Sequence, residues 1–564
     1  MARPTDLLYS VDEVPPPAVL VVSAIQHMAV NAITLVFPLI IAREAGLLGE
    51  RLIDFVSLSM LALGVATILL CARSRFIGSG YLCPAGYSQI YIGPSLFALE
   101  HAGLGSVFGM TVIAGLLQVA IAPLLRRLRA LLPTEIAGLV ISIVGLSLAV
   151  YGFRMIFGIS ANQKIEFAPL EVAAITLLTM IVLNIWTKGY AKMFCVLIGI
   201  AVGYAVSAVT GILDLSSIIQ SEGLGIVRLP RFEHFDWTFD LNLLAPFAVA
   251  ALATTLRTMG DISNTQRIND SDWVRPRFSS LAGGVAANGL ATVFCGILGS
   301  SGVNSNSSSV GLSKATGITS RVVGFGTGIC FALLSFFPAI AAAIAAMPTP
   351  VMGASLFFTS AFVFTSGLQM MTGRLLDSRK IIVIGFSFAM AVIADVYHAL
   401  FATAPVVLQP IFGNSLVLGT VCAVLLNMVL RIGIRQRVSM LLDERDVNRE
   451  AIEQFLSDQG ARWAARRDII NKAIFGVMQV LELVGESSGG IEIEASFDEF
   501  NLDIRIRYEG KPVLIPERRP SPREIVEYPE GERLLAGYLL RQSADRINSR
   551  AVGEHVEVHL HYDH

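Results

Sequence analysis

The sequence has little charge. Only 15% of its 564 residues are Asp, Glu, Lys or Arg, against roughly 25% in ordinary soluble proteins. With 54% hydrophobic residues, this excludes a soluble enzyme, a disordered tail protein and a nucleic-acid binder with a basic face. The formal net charge of −2 provides no global field to select a partner. Paired cysteines are missing too. Cys71, Cys83, Cys195, Cys295, Cys330 and Cys422 lie singly in apolar stretches without a CxxC pair, so neither a disulfide framework nor a zinc site is expected. The first 17 residues lack the charged-then-apolar layout of a cleaved signal.

What charge there is lies at one end. From Arg435 onward roughly 42 of about 130 residues are charged, and the other 44 are spread over the first 434. The chain therefore reads as a polar N-terminal segment (1–17), a membrane domain (18–434) and a water-facing α+β domain (438–564).

Apolar runs long enough to span a bilayer as helix fall at 18–42, 52–72, 103–125, 135–157, 168–187, 192–213, 242–260, 278–299, 318–346, 350–372, 380–402 and 408–431. Two more stretches, 81–100 and 300–316, are broken by Gly, Pro, Ser and Asn. If each crosses as a strand-like piece plus a half-helix, the count is fourteen. Basic residues test it. With fourteen crossings and a cytoplasmic N-terminus, the inner loops hold Arg73 and Arg75; Arg126, Arg127 and Arg129; Lys188 and Lys192; Arg267, Arg275 and Arg277; Lys314 and Arg321; Arg374, Arg379 and Lys380; and Arg431, Arg435 and Arg437. Without the two broken crossings the later clusters fall out of phase. Both termini are thus expected in the cytoplasm of a cell (inner or plasma) membrane protein.

The broken crossings are the third and the tenth, equivalent places in two halves of seven. Seven is odd, so the halves are inverted relative to each other. Matching interrupted segments in inverted halves point to a transporter's binding site. Half-helix N-termini there aim N–H groups at a ligand.

At these residues the chain resembles the nucleobase/ascorbate transporters (nucleobase–cation symporter 2), which include uracil and xanthine permeases. The resemblance covers 18–432. Gln26-His27 matches the family's Gln-His pair, Met259-Gly260-Asp261 its Ile-Gly-Asp, and Ala287-Asn288-Gly289-Leu290 its Ala-Asp-Gly-Leu. Ser305 to Lys314 keeps the spacing of its signature, with Asn306 and Lys314 retained. The resemblance implies an all-α polytopic fold of fourteen segments in two inverted repeats. A core (segments 1–4 and 8–11) would carry substrate past a gate (5–7 and 12–14) by an elevator movement. Coupling to H+ or Na+ and a homodimer are implied as well, with no other cofactor, no metal and no nucleic-acid partner.

The departures carry more chemistry. Where the family places a glutamate that reads ring N–H groups, this chain has Arg257; Ser305 replaces a Gln/Glu, Asn288 an Asp, and Gln89 an aromatic. An arginine fork only donates, so it fits an oxyanion rather than a neutral lactam. Its alternative role is a structural pair with Asp261, one turn away. The expected substrate is an anionic purine-like base such as xanthine or urate. The rivals are another small organic or inorganic anion, as in the sulfate permeases, or a channel. Arg257, Gln89, Ser88, Ser305, Asn306, Ser307 and His27 are the candidate substrate residues. Asp261, Asn288, Gln26 and Lys314 are the candidates for ion coupling or site support. His27 reads equally as a packed core histidine, and Asp395 with His398 as an interfacial pair.

In the tail the spacing predicts helices over 446–468 and 470–485, strands over 490–497 and 501–508, a Pro-rich loop (512–529), a helix over 531–547 and a last strand (553–561). The alternating His/Glu of that strand reads as a solvated face rather than a metal site. The order resembles the histidine-kinase-type ATPase fold with its nucleotide contacts mostly absent, hence a degenerate module for regulation or dimerisation. A membrane-tethered kinase is the enzyme alternative; the expectation is that the chain is not an enzyme.

Overall fold

Backbone in lipid has no water to bond, so apolar runs fold as helices that satisfy their N–H groups internally. The computed structural model describes residues 4–563 apart from 6, 75, 126–133, 158–166, 214–224, 233–235, 272, 274–275, 373–375, 398–411, 413–414, 432, 434–435, 443–448, 464, 485–489, 499–500, 511, 517, 519–530 and 553–554. His398, several of the loop arginines and most of the Pro-rich loop lie outside the described residues. Two units are present, Met1–Leu430 and Arg431–His564, each with its own apolar core.

The first unit is helical. Its elements are α1 (Pro17–Ala32), α2 (Val36–Glu44), α3 (Gly49–Cys71), β1 (Ala85–Tyr87), α4 (Ile92–Ala102), α5 (Leu104–Ile121), α6 (Thr134–Phe157), α7 (Phe167–Trp186), α8 (Cys195–Val209), α9 (Leu244–Asn269), α10 (Phe278–Ile297), β2 (Val303–Ser305), α11 (Ser307–Thr316), α12 (Arg321–Leu334), α13 (Pro338–Ala345), α14 (Thr349–Thr372), α15 (Ser378–Val396) and α16 (Ser415–Leu430). Among the described residues eight helices are long and apolar enough to cross a membrane, or nine counting α12 with α13, which meet at 90°. Pro338 begins α13, where a missing N–H does no harm. The expected span 242–260 is longer than its apolar run: α9 continues to Asn269, so the Met259-Gly260-Asp261 motif lies inside a helix.

Glycines set the helix spacing. A methyl at Gly64, Gly115 or Gly138 would stand 2.6 Å from the carbonyl oxygen of Gly328, Gly289 or Gly367 respectively. These contacts join α3 to α12, α5 to α10 and α6 to α14, and only small residues allow such backbone approach. The N-terminal segment straps onto the turn after α11: Leu8 N donates to Gly317 O (2.8 Å) and Thr319 N to Tyr9 O (2.9 Å). Gly317 adopts φ +67° there, a left-handed helix end that glycine accepts without strain.

The second unit contains β3 (Gln436–Leu442), α17 (Arg449–Arg462), α18 (Arg467–Val484), β4 (Ile491–Phe497), β5 (Asn501–Glu509), α19 (Gly531–Ser543), β6 (Arg546–Val552) and β7 (His555–Asp563). The sheet order is β3-β4-β5-β7-β6, antiparallel throughout. Period-two alternation buries Ile493, Ile504, Ile506, Val558 and Leu560 in one core with Ile452, Leu456, Ala473 and Val477 of the helices. The sequence-based order needs correction in two places. β3 and β6 are strands it does not contain, and the helix expected over 531–547 stops at Ser543, with Ile547 in β6. Both are edge strands, which bury less and so show a weaker alternating pattern.

Candidate functional site

The two short strands meet. β1 and β2 pair antiparallel, with Ala85 opposite Ser305 and Tyr87 opposite Val303. Each leads into a helix, and a polar side chain caps each turn. Ser88 Oγ accepts from Ile90 N (3.3 Å), and Asn306 Oδ1 accepts from Ser308 N (3.0 Å). Gly302 lets the strands close over an aromatic, because a methyl there would stand 2.3 Å from the Tyr91 ring. Tyr87 anchors the far end, donating from Oη to Ser59 O (2.7 Å).

Asp261 of α9 grips the β2–α11 joint from both sides. Its Oδ2 accepts from Ser305 Oγ and its Oδ1 from Ser307 Oγ, each at 2.6 Å. The residue between them, Asn306, donates from Nδ2 to Asn31 Oδ1 (2.7 Å). Asn31 in turn donates to Ser309 Oγ (2.8 Å) and to His27 O (2.7 Å). Asn306 is thus committed on both ends of its amide, as a cap and as a tie to α1.

Arg257 stands one turn before Asp261 on α9, half-buried. It forms no ion pair with any described carboxylate, and both Asp261 oxygens already hold hydroxyls. The Asn304 amide, oriented with its oxygen toward α9, accepts from Arg257 Nε at 3.3 Å. The two terminal nitrogens of the guanidinium have no described partner. The amide of Gln89, which is 5% exposed, likewise bonds no described residue. Its turn packs against α9. This neighbourhood offers donors in excess: a guanidinium fork, an amide and two capped helix starts. Chemically it can hold an oxyanion.

A second network lies behind β2. Gln118 Nε2 donates to Tyr91 Oη (3.0 Å) and Thr254 Oγ1 (2.5 Å), and Gln118 Oε1 accepts from Asn288 Nδ2 (2.9 Å). Asn288 Nδ2 also donates to Val303 O (3.2 Å), so Asn288 braces the strand. The side chains of three other candidates stand apart from these bonds. His27 is 1% exposed with Nδ1 unpartnered. Gln26 is half-buried, and its side chain makes no hydrogen bond to a described residue. Lys314 is exposed in the last turn of α11, about 12 Å along the helix from Asn306 at 1.5 Å per residue. Sequence reasoning missed Asn31, Gln118 and Asn304. For Asn31 and Gln118 the available signal was an amide within an apolar span, where an unmatched polar group is costly; Asn304 lay hidden among the other polar residues of 300–316.

The sequence profile of the permease family (Xan_ur_permease) matches residues 18–400. The chain belongs to that family. It is a multi-pass membrane transporter rather than an enzyme. The xanthine permease XanP of Escherichia coli K12 is 26% identical over 440 residues, covering 75% of this chain and 95% of that one. The uric acid permease PucJ of Bacillus subtilis is 25% identical over 419 residues, 72% of this chain and 91% of its own. Among solved structures, the murine Solute Carrier 26 family member A9 anion transporter in its inward-facing state aligns with a TM-score of 0.50 at 11% identity, covering 76% of this chain and 71% of that one. That likeness concerns the fold alone.

Proposed function

We propose that the protein carries an anionic purine-like base, such as urate or ionised xanthine, across the membrane. The observation that carries this reading is Arg257: a guanidinium that feels the Asp261 charge one turn away but has no carboxylate bonded to its fork, beside the β1–β2 crossing, in a family whose relatives include xanthine and uric acid permeases. A cation inside the membrane whose fork holds no hydrogen bond is costly unless a ligand or water meets it. Gln89, Ser88, Ser305, Asn306, Ser307 and His27 surround or support that ligand. The architecture we infer is fourteen segments in two inverted repeats, with both termini cytoplasmic in the cell membrane. The glycine contacts support it: α3–α12 and α5–α10 exchange under the repeat, and α6–α14 maps onto itself. Segments 1–4 and 8–11 form a core that moves as an elevator against the gate of segments 5–7 and 12–14, in a homodimer. Coupling by H+ or Na+ falls to Asp261 or His27, since Asn288 takes no proton.

The test is uptake into proteoliposomes. Arg257→Gln lowers urate uptake about ten- to a hundredfold, the worth of one or two charged hydrogen bonds, and leaves any uracil uptake unaltered. Urate uptake unchanged in Arg257→Ala sinks the anion reading. A second reading, transport of another small anion, is favoured by one feature: Arg257 and Gln89 replace groups that read a base. Competition by bicarbonate, sulfate and organic sulfonates against urate and xanthine decides between them.

A further inference from the structure

The open face of the sheet in Arg431–His564 holds a second set of unmatched donors, independent of the transport reading. β5, β7 and β6 are neighbours, and their register sets Arg505 opposite His559 and His559 opposite Asn548. Two residues along, Arg507 stands opposite Glu557 and Glu557 opposite Arg550. Arg505, Asn548, Arg550, Glu557 and His559 line one cavity. Its acidic member is already matched. Glu557 Oε1 accepts from Arg550 Nη2 (3.0 Å) and Oε2 from Arg507 Nε (3.3 Å). Arg507 also reaches Glu492 (3.2 Å). His559 Nε2 is held by Asp503 (2.9 Å). Arg505 differs. It sits half-buried on β5, opposite Glu494 of β4 and within the electrostatic reach of Glu557, yet makes neither hydrogen bond nor ion pair with a described residue. The exposed Asn548 amide is free in the same way.

We propose that this cavity binds a small oxyanion, a phosphate or carboxylate group, with Arg505 as principal ligand and Asn548 and Arg550 as flanking donors. A planar fork whose N–H groups hold no described hydrogen bond matches two oxygens of such a group. Three hydrogen-bonded strands hold the donors rigidly, which limits the ordering cost of binding. The matched Glu557 bounds the site on one side and restricts it to a small group.

The test uses the full chain in detergent, inorganic phosphate as probe, and hydrogen exchange of peptides from β5 to β7 as readout. Phosphate at ten times its Kd slows their exchange about tenfold, in the parent and in Arg257→Gln, but not in Arg505→Gln. No slowing in the parent, or slowing that survives Arg505→Gln, overturns the assignment. If Arg505→Gln alone speeds exchange, Arg505→Lys is read instead. It keeps the charge and loses the fork, so weaker protection is expected and undiminished protection overturns the proposal. Lipid nanodiscs separate the sources of the oxyanion. Protection by phosphatidylglycerol over phosphatidylcholine, lost in Arg505→Gln, assigns it to a lipid headgroup; protection only on adding phosphate assigns it to a free ion.

Discussion

Asp261 holds two hydroxyls, and that arrangement makes the β2–α11 joint a single object. An asparagine there keeps one acceptor oxygen and presents an amide to the other serine. Leaving one hydroxyl unmatched costs about 1–3 kcal/mol, so Asp261→Asn lowers the thermal midpoint of the membrane unit. Ser305→Ala and Ser307→Ala separate the two halves of the grip. Ser305 is buried and Ser307 exposed, so the first substitution is the more damaging, and equal midpoints for the two would contradict the grip. Arg257 belongs to a different class of residue. Its one described hydrogen bond goes to Asn304 of β2 and none goes to the Asp261 grip, so Arg257→Gln is expected to alter uptake far more than the midpoint.

At the scale of elements, the crossing of β1 and β2 depends on residues that leave room. Gly302→Ala drives a methyl into the Tyr91 ring, and Gly115→Ala meets the backbone of α10, which cannot rotate aside. Both variants are expected to lose about 1–3 kcal/mol as overpacking, read as lower thermal midpoints and reduced uptake. Much of this layer was legible beforehand. The Gly, Pro, Ser and Asn breaks at 81–100 and 300–316 marked the two segments that combine a strand with a helix, although Gly93-Pro94 lies inside α4 rather than before it. The partners were not legible. Nothing in a one-dimensional pattern says that Asn31 meets Asn306, 275 positions away, or that Gln118 joins Asn288. The same holds in the tail, where edge strands β3 and β6 carry too little apolar alternation to announce themselves, while central β5 does.

At the scale of the whole molecule, two units with separate cores are expected to unfold as two processes. Calorimetry in detergent is expected to show two transitions, with Asp503→Asn shifting one of them. Burial pushes the Asp503 carboxyl up, but hydrogen bonds from His559 (2.9 Å) and His561 (2.7 Å) outweigh it and hold the group well below the usual carboxylate range. A lowered folded pKa stabilises fully above the unfolded value, near 3.9. That stabilisation disappears as pH falls through the lowered value. The transition of Arg431–His564 therefore drops on acidification below about pH 4, and Asp503→Asn, less stable by about 1–3 kcal/mol at neutral pH, loses that dependence.

The β1–β2 ladder also has a consequence in time. Ala85 pairs with Ser305, 220 positions later in the chain. A ribosome adding about 5–20 residues per second takes roughly 10–45 s to cover that distance. For that interval the first strand is made and its partner is not, and strand edges left open in lipid have no acceptor to turn to. The nascent stretch that holds β1 must therefore wait in a sheltered or watery place, and whatever membrane machinery receives this chain has to hold it unpaired for that long.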